Sequence, residues 1–333
     1  MTDRLVRLPI TLACNASDRT APLLTGEVVP EGVDINPMYI PIEELFFRQV
    51  HGQEFDVSEM SLASHAILLS RDESPWVGIP VFLSRVFRHG SIFVRRSAGI
   101  HSPTDLVGRR VGIAEYQMTA GVFVRGMLRD EYGVDARDIE WHSGGQEQPG
   151  RHERLSLPTG VSVTQIPEDA TLGTMLTAGE LEGLVAARMP RAFLDGHPDV
   201  VRLFPNYADV EADYYRRTSI FPIMHLVVVR RSLAEAHPWL PMSLFKAFSR
   251  VKDAALDSAY DWNGLRISVP WLVAEIERTR AVFGSRDIWP YGLEGNRPTL
   301  EAFCRYMHEQ GLVSDSLAPE DLFAPTTRSV SRI

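Results

Sequence analysis

The segment VGIAEYQMTAGVFVRGML, residues 111–128, places polar side chains at a joint between two predicted elements. Val111–Ala114 is an apolar run typical of a strand, and from Thr119 onwards the apolar residues recur at helical spacing. Glu115–Gln117 lie where the chain must turn. A carboxylate, a phenol and an amide can all bind a ligand at such a turn, and a carboxylate can also exchange a proton with it.

Polar side chains follow several other predicted strands in the same way. They are Asn15–Arg19, Ser58–Ser61, Ser84–His89 and Arg188. In α/β sheets ligands bind beyond the carboxyl ends of the strands, near helix N-termini. The pattern therefore predicts a ligand cleft between two facing lobes. For Glu115 the alternative is a local role, because a carboxylate at a helix N-terminus favours the helix dipole by about 0.3–1 kcal/mol.

Strands alternate with helices along the chain, which predicts parallel sheets with helices on both faces. The segment FDVSEMSLASHAILLS, residues 55–70, predicts a strand, a polar turn at Ser58 and Glu59, and a buried helix. A long apolar strand, Ile220–Val229, contains His225, which is either a core residue or a ligand contact. Three segments with apolar residues at helical spacing follow that strand.

The segment SRVFRHGS, residues 84–91, combines basic and aromatic side chains. Strand alternation would put Arg85, Phe87 and His89 on one face and Arg88 on the other. Residues 143–160 are the least regular part of the chain, and we expect a surface loop there.

Length and charge limit the classes of protein to consider. A chain of 333 residues exceeds the size of one growing core, so two lobes are expected. The net charge of −9, without a block of Lys or Arg, argues against a nucleic-acid partner. Only Lys246 and Lys252 among the 34 basic residues are lysines. Arginine, whose planar fork matches a carboxylate, would therefore supply any local positive potential.

Cysteine usage and hydropathy point to a cytoplasmic protein. Cys14 and Cys304 are far apart and form no disulfide framework or metal motif. No apolar run approaches the roughly 18–20 residues of a membrane helix. The uncharged run Leu8–Ala13 is shorter than a signal segment of about 7–15 residues, and Asp18 and Arg19 follow it. We expect no membrane partner.

Six blocks of the sequence together resemble the 4,5-dihydroxyphthalate decarboxylase family. They are EFDVSEMSLAS, GIPVFLSRVFRHGSIFV, DLVGRRVGIAEYQMTAGVFVRGML, YYRRTSIFPIMHLVVVRR, WPYGLEGNRPTLEAF and APEDLFAP. The resemblance covers nearly the whole chain and weakens across residues 143–160. DLVGRRVG is shared widely by the fold, whereas RVFRHGSIFV and EYQMTAG are narrower pointers.

The resemblance implies an α/β, two-lobed, type II periplasmic-binding-protein-like fold. Each lobe would be a mostly parallel sheet flanked by helices, with a cleft between the lobes. Residues 1–97 and 224–333 would form a discontinuous lobe one, and residues 98–223 would form lobe two. The chain would cross between the lobes near Arg95–Ser97 and Ile220–His225.

The reaction that the resemblance implies is the loss of one carboxylate from a dihydroxylated benzene-1,2-dicarboxylate, giving 3,4-dihydroxybenzoate. Direct loss of carbon dioxide would leave an aryl anion in the ring plane, so the ring carbon has to be protonated first. This needs an acid over that carbon, a base near the para hydroxyl and cations for two carboxylates. The catalytic candidates are His89 as proton donor, Glu115 as base, and His225. Which is acid and which is base stays open.

The expected substrate contacts are of three kinds. They are Arg19, Arg85, Arg188 and the amides near Thr119 for the carboxylates, Glu59 and Ser61 for the hydroxyl groups, and Tyr116 and Gln117 for the pocket wall.

No cofactor is expected, because the chemistry demands neither an organic group nor a redox step. Sequence spacing neither supports nor excludes a divalent metal held by Glu59, His89 and Glu115. Two alternatives stay open: a solute-binding protein for an aromatic acid, or another enzyme on the same fold, of the menaquinone-route or thiamine-pyrimidine type. The C-terminal helices could serve a homo-oligomer or cap lobe one.

Overall fold

The computed structural model describes residues 7–261 and 263–329. Within these ranges no helix is both long and apolar enough to cross a membrane. Of the residues expected in lobe one, 1–6, 262 and 330–333 lie outside the described residues.

Strands and helices alternate along most of the described chain. The strands are β1 Leu8–Ala13, β2 Val33–Met38, β3 Val57–Ser61, β4 Trp76–Arg85, β5 Ile92–Arg95, β6 Arg110–Ile113, β7 Glu140–Ser143, β8 Thr164–Gln165, β9 Gly183–Val185, β10 Val200–Arg202 and β11 Ile223–Arg230. The α-helices are α1 Ala21–Leu24, α2 Ile42–Phe47, α3 Leu62–Ser70, α4 Thr119–Tyr132, α5 Leu172–Ala178, α6 Arg191–Leu194, α7 Tyr207–Thr218, α8 Arg231–Ala236, α9 Leu240–Ser258, α10 Leu272–Phe283 and α11 Arg297–Glu309.

The chain divides into two compact units. Unit 1 comprises the described residues up to Arg85, Ile223–Leu300 and the described residues from Ala318, and unit 2 comprises Val86–Pro222 and Glu301–Leu317. Each unit contains one mixed sheet with flanking helices. The fold is therefore of the α/β class.

Unit 1 is built on a sheet with strand order β2-β1-β3-β11-β4. β1 is parallel to β2 and to β3, and β11 is antiparallel to β3 and to β4. All five residues of β3 are buried, so both faces of this strand are covered by other parts of the protein. α9 packs Leu244, Phe248 and Val251 into the same core as Leu12 and Val227. The carboxyl ends of β1 and β3 thus lie side by side in a rigid sheet.

Unit 2 is built on a sheet with strand order β10-β5-β9-β6-β7-β8. β9 is parallel to β6, β6 to β7 and β7 to β8. β5 is antiparallel to β9 and to β10. α4 follows β6 and contacts α11 through stacked Phe123 and Phe303 rings, 5.9 Å apart. The Tyr306 ring lies over Gly126 of α4, where there is no side chain to keep it away.

The first predicted crossing differs from the observed one. The chain enters unit 2 at Val86, as β4 ends, rather than near Arg95–Ser97. The return, at Ile223, lies within the predicted range Ile220–His225. Residues 301–317 group with unit 2 and not with unit 1, because α11 packs on α4.

Two local predictions were wrong. Ser58 and Glu59 belong to strand β3 and form no turn, since parallel pairing with β1 continues through Ser58. The alternation proposed for Arg85, Phe87 and His89 does not apply, because β4 ends at Arg85 and His89 begins a 3₁₀ turn.

The close approach of Tyr306 to Gly126 gives a stability prediction. A Cβ at Gly126 would lie about 2.4 Å from the Tyr306 ring, well inside contact distance. We expect Gly126→Ala to destabilise the protein by about 1–3 kcal/mol, although alanine is the better helix former by about 1 kcal/mol. Urea unfolding measures the change. The control is Gly264→Ala, at an exposed position with nothing near the added Cβ. Equal stability of both variants and wild type would contradict the packing described.

Candidate functional site

A buried carboxylate and a histidine lie within hydrogen-bond distance of each other in unit 1. Nδ1 of His225 lies 2.7 Å from Oε1 of Glu59, and the backbone N–H of Asn15 donates to Oε2 of Glu59 at 3.0 Å. The Glu59 side chain is 4% exposed and that of His225 is 20% exposed. An ionised carboxylate can only accept, so Nδ1 carries the hydrogen in this contact. Nε2 is left as the ring nitrogen for a ligand.

The sheet register brings these two side chains together. Val227 is opposite Glu59 and His225 is opposite Ser61, so Glu59 and His225 are diagonal neighbours on one face of β3 and β11. The edge of the Phe46 ring faces the His225 ring at 4.8 Å between centroids. The pair therefore stands on the central strands of unit 1, with an aromatic wall on one side.

An irregularity in β4 provides acceptors near the pair. The pairing of β11 with β4 shifts register on both sides of His225, so residues 80–83 of β4 have no partner residue in β11. Three of these residues accept hydrogen bonds from groups outside the sheet, since β4 is its edge strand. Pro80 accepts the Gly292 N–H, Phe82 accepts the Trp289 indole N–H and Leu83 accepts Nη2 of Arg19. Such bulges are common next to functional sites, where they redirect side chains.

Two expected carboxylate ligands, Arg19 and Arg85, lie in unit 1. The Arg19 guanidinium stacks 4.2 Å over the Trp289 ring, and its Nη1 donates to Asp18 at 2.6 Å. Its Nε has no hydrogen-bond partner among the described residues. Arg85 ends β4, is buried and donates from Nη1 to the Pro290 carbonyl at 3.2 Å. Unit 1 thus holds both arginines together with the Glu59–His225 pair.

Ser61 has a local role in addition to its place beside His225. Its hydroxyl caps helix α3 by accepting the Ser64 N–H at 3.4 Å. Serine is a favoured residue at the N-cap of a helix for this reason.

The joint between β6 and α4 in unit 2 has the form that the sequence predicts. β6 ends at Ile113 and α4 begins at Thr119; of the residues between them, Ala114–Gln117 are buried and Met118 is half-buried. Oε1 of Glu115 accepts two hydrogen bonds from Arg151, at 2.8 Å from Nε and 2.6 Å from Nη2. Nη2 of Arg154 lies 3.2 Å from the same oxygen, and Gln117 donates to Oε2 at 3.1 Å. Two arginines and Gln117 therefore hold the Glu115 carboxylate in place.

Residues 143–160 do more than the surface loop that we expected. Besides Arg151 and Arg154, they bring Glu153 to the joint, where its carboxylate accepts the backbone N–H of Tyr116 and, at 3.4 Å, that of Gln117. Burial, and then the nearby charge of Glu115, raise the pKa of Glu153 to about 7. Sequence reasoning missed these three residues because irregular chain gives no periodic signal; only the charge pattern RHER, residues 151–154, marks them.

Tyr116 and Thr119 are buried at this joint. The guanidinium of Arg125 lies 3.6 Å from the centre of the Tyr116 ring and donates to the Tyr116 carbonyl. Thr119 is the first residue of α4, whose N-cap residue, Met118, makes no side-chain capping hydrogen bond. These contacts hold the joint rigidly in unit 2.

His89 is enclosed by aromatic side chains of unit 2. The rings of Phe204 and Tyr214 each lie 5.2 Å from its centroid, and neither ring nitrogen has a hydrogen-bond partner among the described residues. Burial, and then Arg217, lower the pKa of His89 to about 4. These surroundings favour a neutral packed histidine, and its role as proton donor stays a prediction.

The remaining predicted contacts are dispersed. Arg188 is exposed three residues beyond β9, where its carbonyl accepts a hydrogen bond from Gln146.

No group of three or more His, Cys, Asp or Glu side chains within residues 7–261 and 263–329 is placed to hold a metal ion. Of the metal ligands considered, Glu59 belongs to unit 1, and His89 and Glu115 belong to unit 2.

Comparison with solved structures defines the class of fold. A periplasmic sulfonate-binding protein from Methylobacillus flagellatus KT aligns over 97% of this chain and 93% of its own, with a TM-score of 0.58 and 10% identity. The periplasmic aliphatic sulphonate binding protein of Escherichia coli aligns over 96% and 98%, with a TM-score of 0.54 and 12% identity. The chain therefore has a periplasmic-binding-protein-like fold.

Comparison of sequences identifies the family. The 4,5-dihydroxyphthalate decarboxylase of Comamonas testosteroni is 41% identical over 323 residues, which cover 96% of this chain and 98% of that protein. The enzyme of the same name from Pseudomonas putida is 41% identical over 215 residues, covering 64% of this chain and 83% of that protein. No protein-family model matches the chain. The chain belongs to the 4,5-dihydroxyphthalate decarboxylase family, whose members are carboxy-lyases.

The raised pKa of Glu153 predicts how stability depends on pH. Between pH 4.5 and about 7 the folded chain keeps a proton that the unfolded chain releases, so this group's contribution to stability falls as pH rises. Glu153→Gln should remove up to about 3 kcal/mol of that dependence, since one pKa unit corresponds to about 1.4 kcal/mol. Urea unfolding at pH 5, 6, 7 and 8 measures it. Exposed Glu180→Gln is the control. The same pH slope in Glu153→Gln and wild type would show that Glu153 ionises normally.

Proposed function

We propose that the chain decarboxylates 4,5-dihydroxyphthalate, or a closely similar hydroxylated aromatic dicarboxylate, to 3,4-dihydroxybenzoate and carbon dioxide. The near-full-length similarity to a protein of that name supports the substrate class. One observation in the chain itself carries the proposal: the 2.7 Å contact of Glu59 with His225, next to the loop that bears Arg19.

The chemistry requires a proton to reach the ring before carbon dioxide leaves. Electron density from the para hydroxyl allows the carbon that bears the leaving carboxylate to accept a proton. The carbon–carbon bond then breaks, its electron pair returns to the ring and carbon dioxide departs. One proton is consumed for each carbon dioxide released.

In this proposal His225 delivers that proton. The doubly protonated ring donates one hydrogen to Glu59 from Nδ1 and presents the other on Nε2 to the substrate carbon. Glu59 stabilises the imidazolium and fixes the orientation of the ring, as a carboxylate does for the histidine of a catalytic triad. After transfer the ring is neutral, with its hydrogen on Nδ1, and recovers the Nε2 proton from solvent. Acid catalysis of this kind contributes about 10²–10⁴-fold.

Arg19 and Arg85 are the proposed ligands of the two adjacent carboxylates. Both guanidiniums are held in place by backbone carbonyls, and Arg19 is also stacked on Trp289. A planar donor held in this way loses little freedom when it binds a carboxylate. Positioning and a preorganised electrostatic environment then supply the part of the rate that acid catalysis does not.

Glu115 has a different proposed role from the base that the sequence suggested. Its carboxylate already accepts hydrogen bonds from Arg151 and Gln117, and Arg154 lies 3.2 Å from the same Oε1, so these side chains depend on Glu115 for their position. We propose that Glu115 orients Arg151 and Arg154. Tyr116, Gln117, Thr119 and Arg188 remain predicted substrate contacts, and a base for the para hydroxyl stays unassigned.

We also propose a cytoplasmic location. The apolar run that was compared with a signal segment, Leu8–Ala13, is strand β1, an inner strand of the unit 1 sheet.

A comparison of two histidine variants tests the proton donor. His225→Gln should reduce turnover of 4,5-dihydroxyphthalate by about 10²-fold or more, because Gln cannot deliver the proton. The assay follows carbon dioxide release and 3,4-dihydroxybenzoate formation. His89→Gln decides between the two histidines, and exposed His101→Gln is the control.

The two outcomes separate the candidates. Normal turnover in His225→Gln, with a large loss in correctly folded His89→Gln, would move the role of acid to His89. Binding of the substrate to wild-type protein without any turnover would favour a solute-binding protein.

A variant of Arg19 tests carboxylate binding. Arg19→Gln should raise the Kd for phthalate about tenfold or more, because one charged hydrogen bond is lost. Isothermal titration calorimetry measures this, with Arg286→Gln as control because that side chain is 79% exposed and pairs only with exposed Asp257 among the described residues. An unchanged Kd in Arg19→Gln would remove Arg19 from the site.

A further inference from the structure

The segment Trp289–Gly292 is held against β4 although it belongs to no helix or strand. It comes from the block WPYGLEGNRPTLEAF, to which the reaction assigns no role. The Trp289 indole N–H donates to the Phe82 carbonyl at 2.7 Å, and the Gly292 N–H donates to the Pro80 carbonyl at 2.8 Å. The irregular stretch of β4 therefore anchors both ends of this short segment.

A second set of hydrogen bonds holds the segment from the other side. Nδ2 of buried Asn296 donates to the carbonyls of Pro290 and Gly292, at 3.0 and 2.8 Å. Arg85 donates to the same Pro290 carbonyl. With both sides fixed, the residue between Pro290 and Gly292 has little freedom to move, and that residue is Tyr291.

The hydroxyl of Tyr291 is buried and has no hydrogen-bond partner among the described residues. Its ring packs edge-on against Phe82, 6.4 Å between centroids, and Nζ of Lys252 lies 5.5 Å from the ring centre. Lys252 is itself paired with Asp287 at 2.6 Å. A buried hydroxyl without a partner is costly to keep, and folding alone gives no reason for it.

The segment that carries this hydroxyl contacts both arginines of unit 1, because Arg19 stacks on Trp289 and Arg85 donates to the Pro290 carbonyl. Burial raises the pKa of Tyr291, and Arg19, Asp18 and Glu59 are close enough to act on it electrostatically. Tyr291 therefore stays a neutral phenol beside the groups that bind and protonate the substrate. Nε of Arg19 is also without a partner among the described residues. Two buried donors, this Nε and the Tyr291 hydroxyl, are therefore available to a ligand.

We propose that Tyr291 is a specificity-determining residue, whose hydroxyl hydrogen-bonds a ring hydroxyl of the aromatic acid. The inference rests on the proposed function. The carboxylates are matched by the cations Arg19 and Arg85, whereas a neutral phenol both donates and accepts and so matches another phenol. A buried group left unpaired by a ligand that lacks the hydroxyl discriminates strongly against that ligand.

Two ligands that do not react separate the possible contacts. Phthalate has both carboxylates and no hydroxyl, and 3,4-dihydroxybenzoate has both hydroxyls and one carboxylate. Calorimetric titration of Tyr291→Phe should show a Kd for 3,4-dihydroxybenzoate about tenfold or more above wild type, with the Kd for phthalate unchanged. Tyr39→Phe is the control, because Tyr39 is 58% exposed. The free variant should unfold at the wild-type temperature or above it, since it loses a buried hydroxyl without a partner.

Each other result overturns the inference. Equal weakening of both ligands would assign Tyr291 to the carboxylates or to the fold, and a lower unfolding temperature would show that the free chain already pairs the hydroxyl. Unchanged affinity for both ligands, with normal wild-type turnover, would reject the role of Tyr291 and leave the proposed decarboxylation standing. A wild-type chain that neither binds these ligands nor turns over 4,5-dihydroxyphthalate would reject both.

Discussion

The contact between Glu59 and Nδ1 of His225 is the interaction on which the rest of the unit 1 site depends. A carboxylate that is only 4% exposed needs partners, and within the described part of the chain it has two, His225 and the Asn15 N–H. Both lie on strands, or directly after strands, of one five-stranded sheet. The sheet therefore determines the position of the carboxylate, and the carboxylate determines which nitrogen of the histidine is left for chemistry.

The irregular pairing of β4 with β11 extends this site beyond the pair. β4 is the edge strand of the sheet, and the carbonyls of three of its residues, Pro80, Phe82 and Leu83, accept hydrogen bonds from Gly292, Trp289 and Arg19. In this way a chain of net charge −9 holds two arginines near a histidine without a basic surface. Local placement of a few cations suits a small anionic substrate better than a general positive field would.

The sequence predicts the parts of the structure that depend on neighbouring residues. The strand–turn–helix form of residues 111–128, the three late helices and the α/β class all follow from periodicity and are confirmed. His225 and Glu59 were both candidates, but their contact joins residues 166 positions apart and follows only from the antiparallel register of β3 and β11. Periodicity carries no information about such pairing.

The errors have a common cause. Placing Arg85 and His89 on one face assumed that the strand continues to His89. However, β4 ends at Arg85, and the His89 ring packs against Phe204 and Tyr214. The importance of Arg151, Glu153 and Arg154 was missed because an irregular segment has no pattern from which its contacts can be read. Where the backbone is irregular, tertiary contacts decide the role of a side chain, and one sequence does not contain them explicitly.

A measurement of which ring nitrogen of His225 carries the hydrogen is the most direct test of the proposed Glu59–His225 contact. ¹⁵N NMR of histidine-labelled protein, with His225→Gln to assign the signals, reports which ring nitrogen carries the hydrogen when the ring is neutral. The expected result is hydrogen on Nδ1, donated to Glu59, and a bare Nε2. Hydrogen on Nε2 with a bare Nδ1 would contradict it, because Glu59 could then not orient the ring as described.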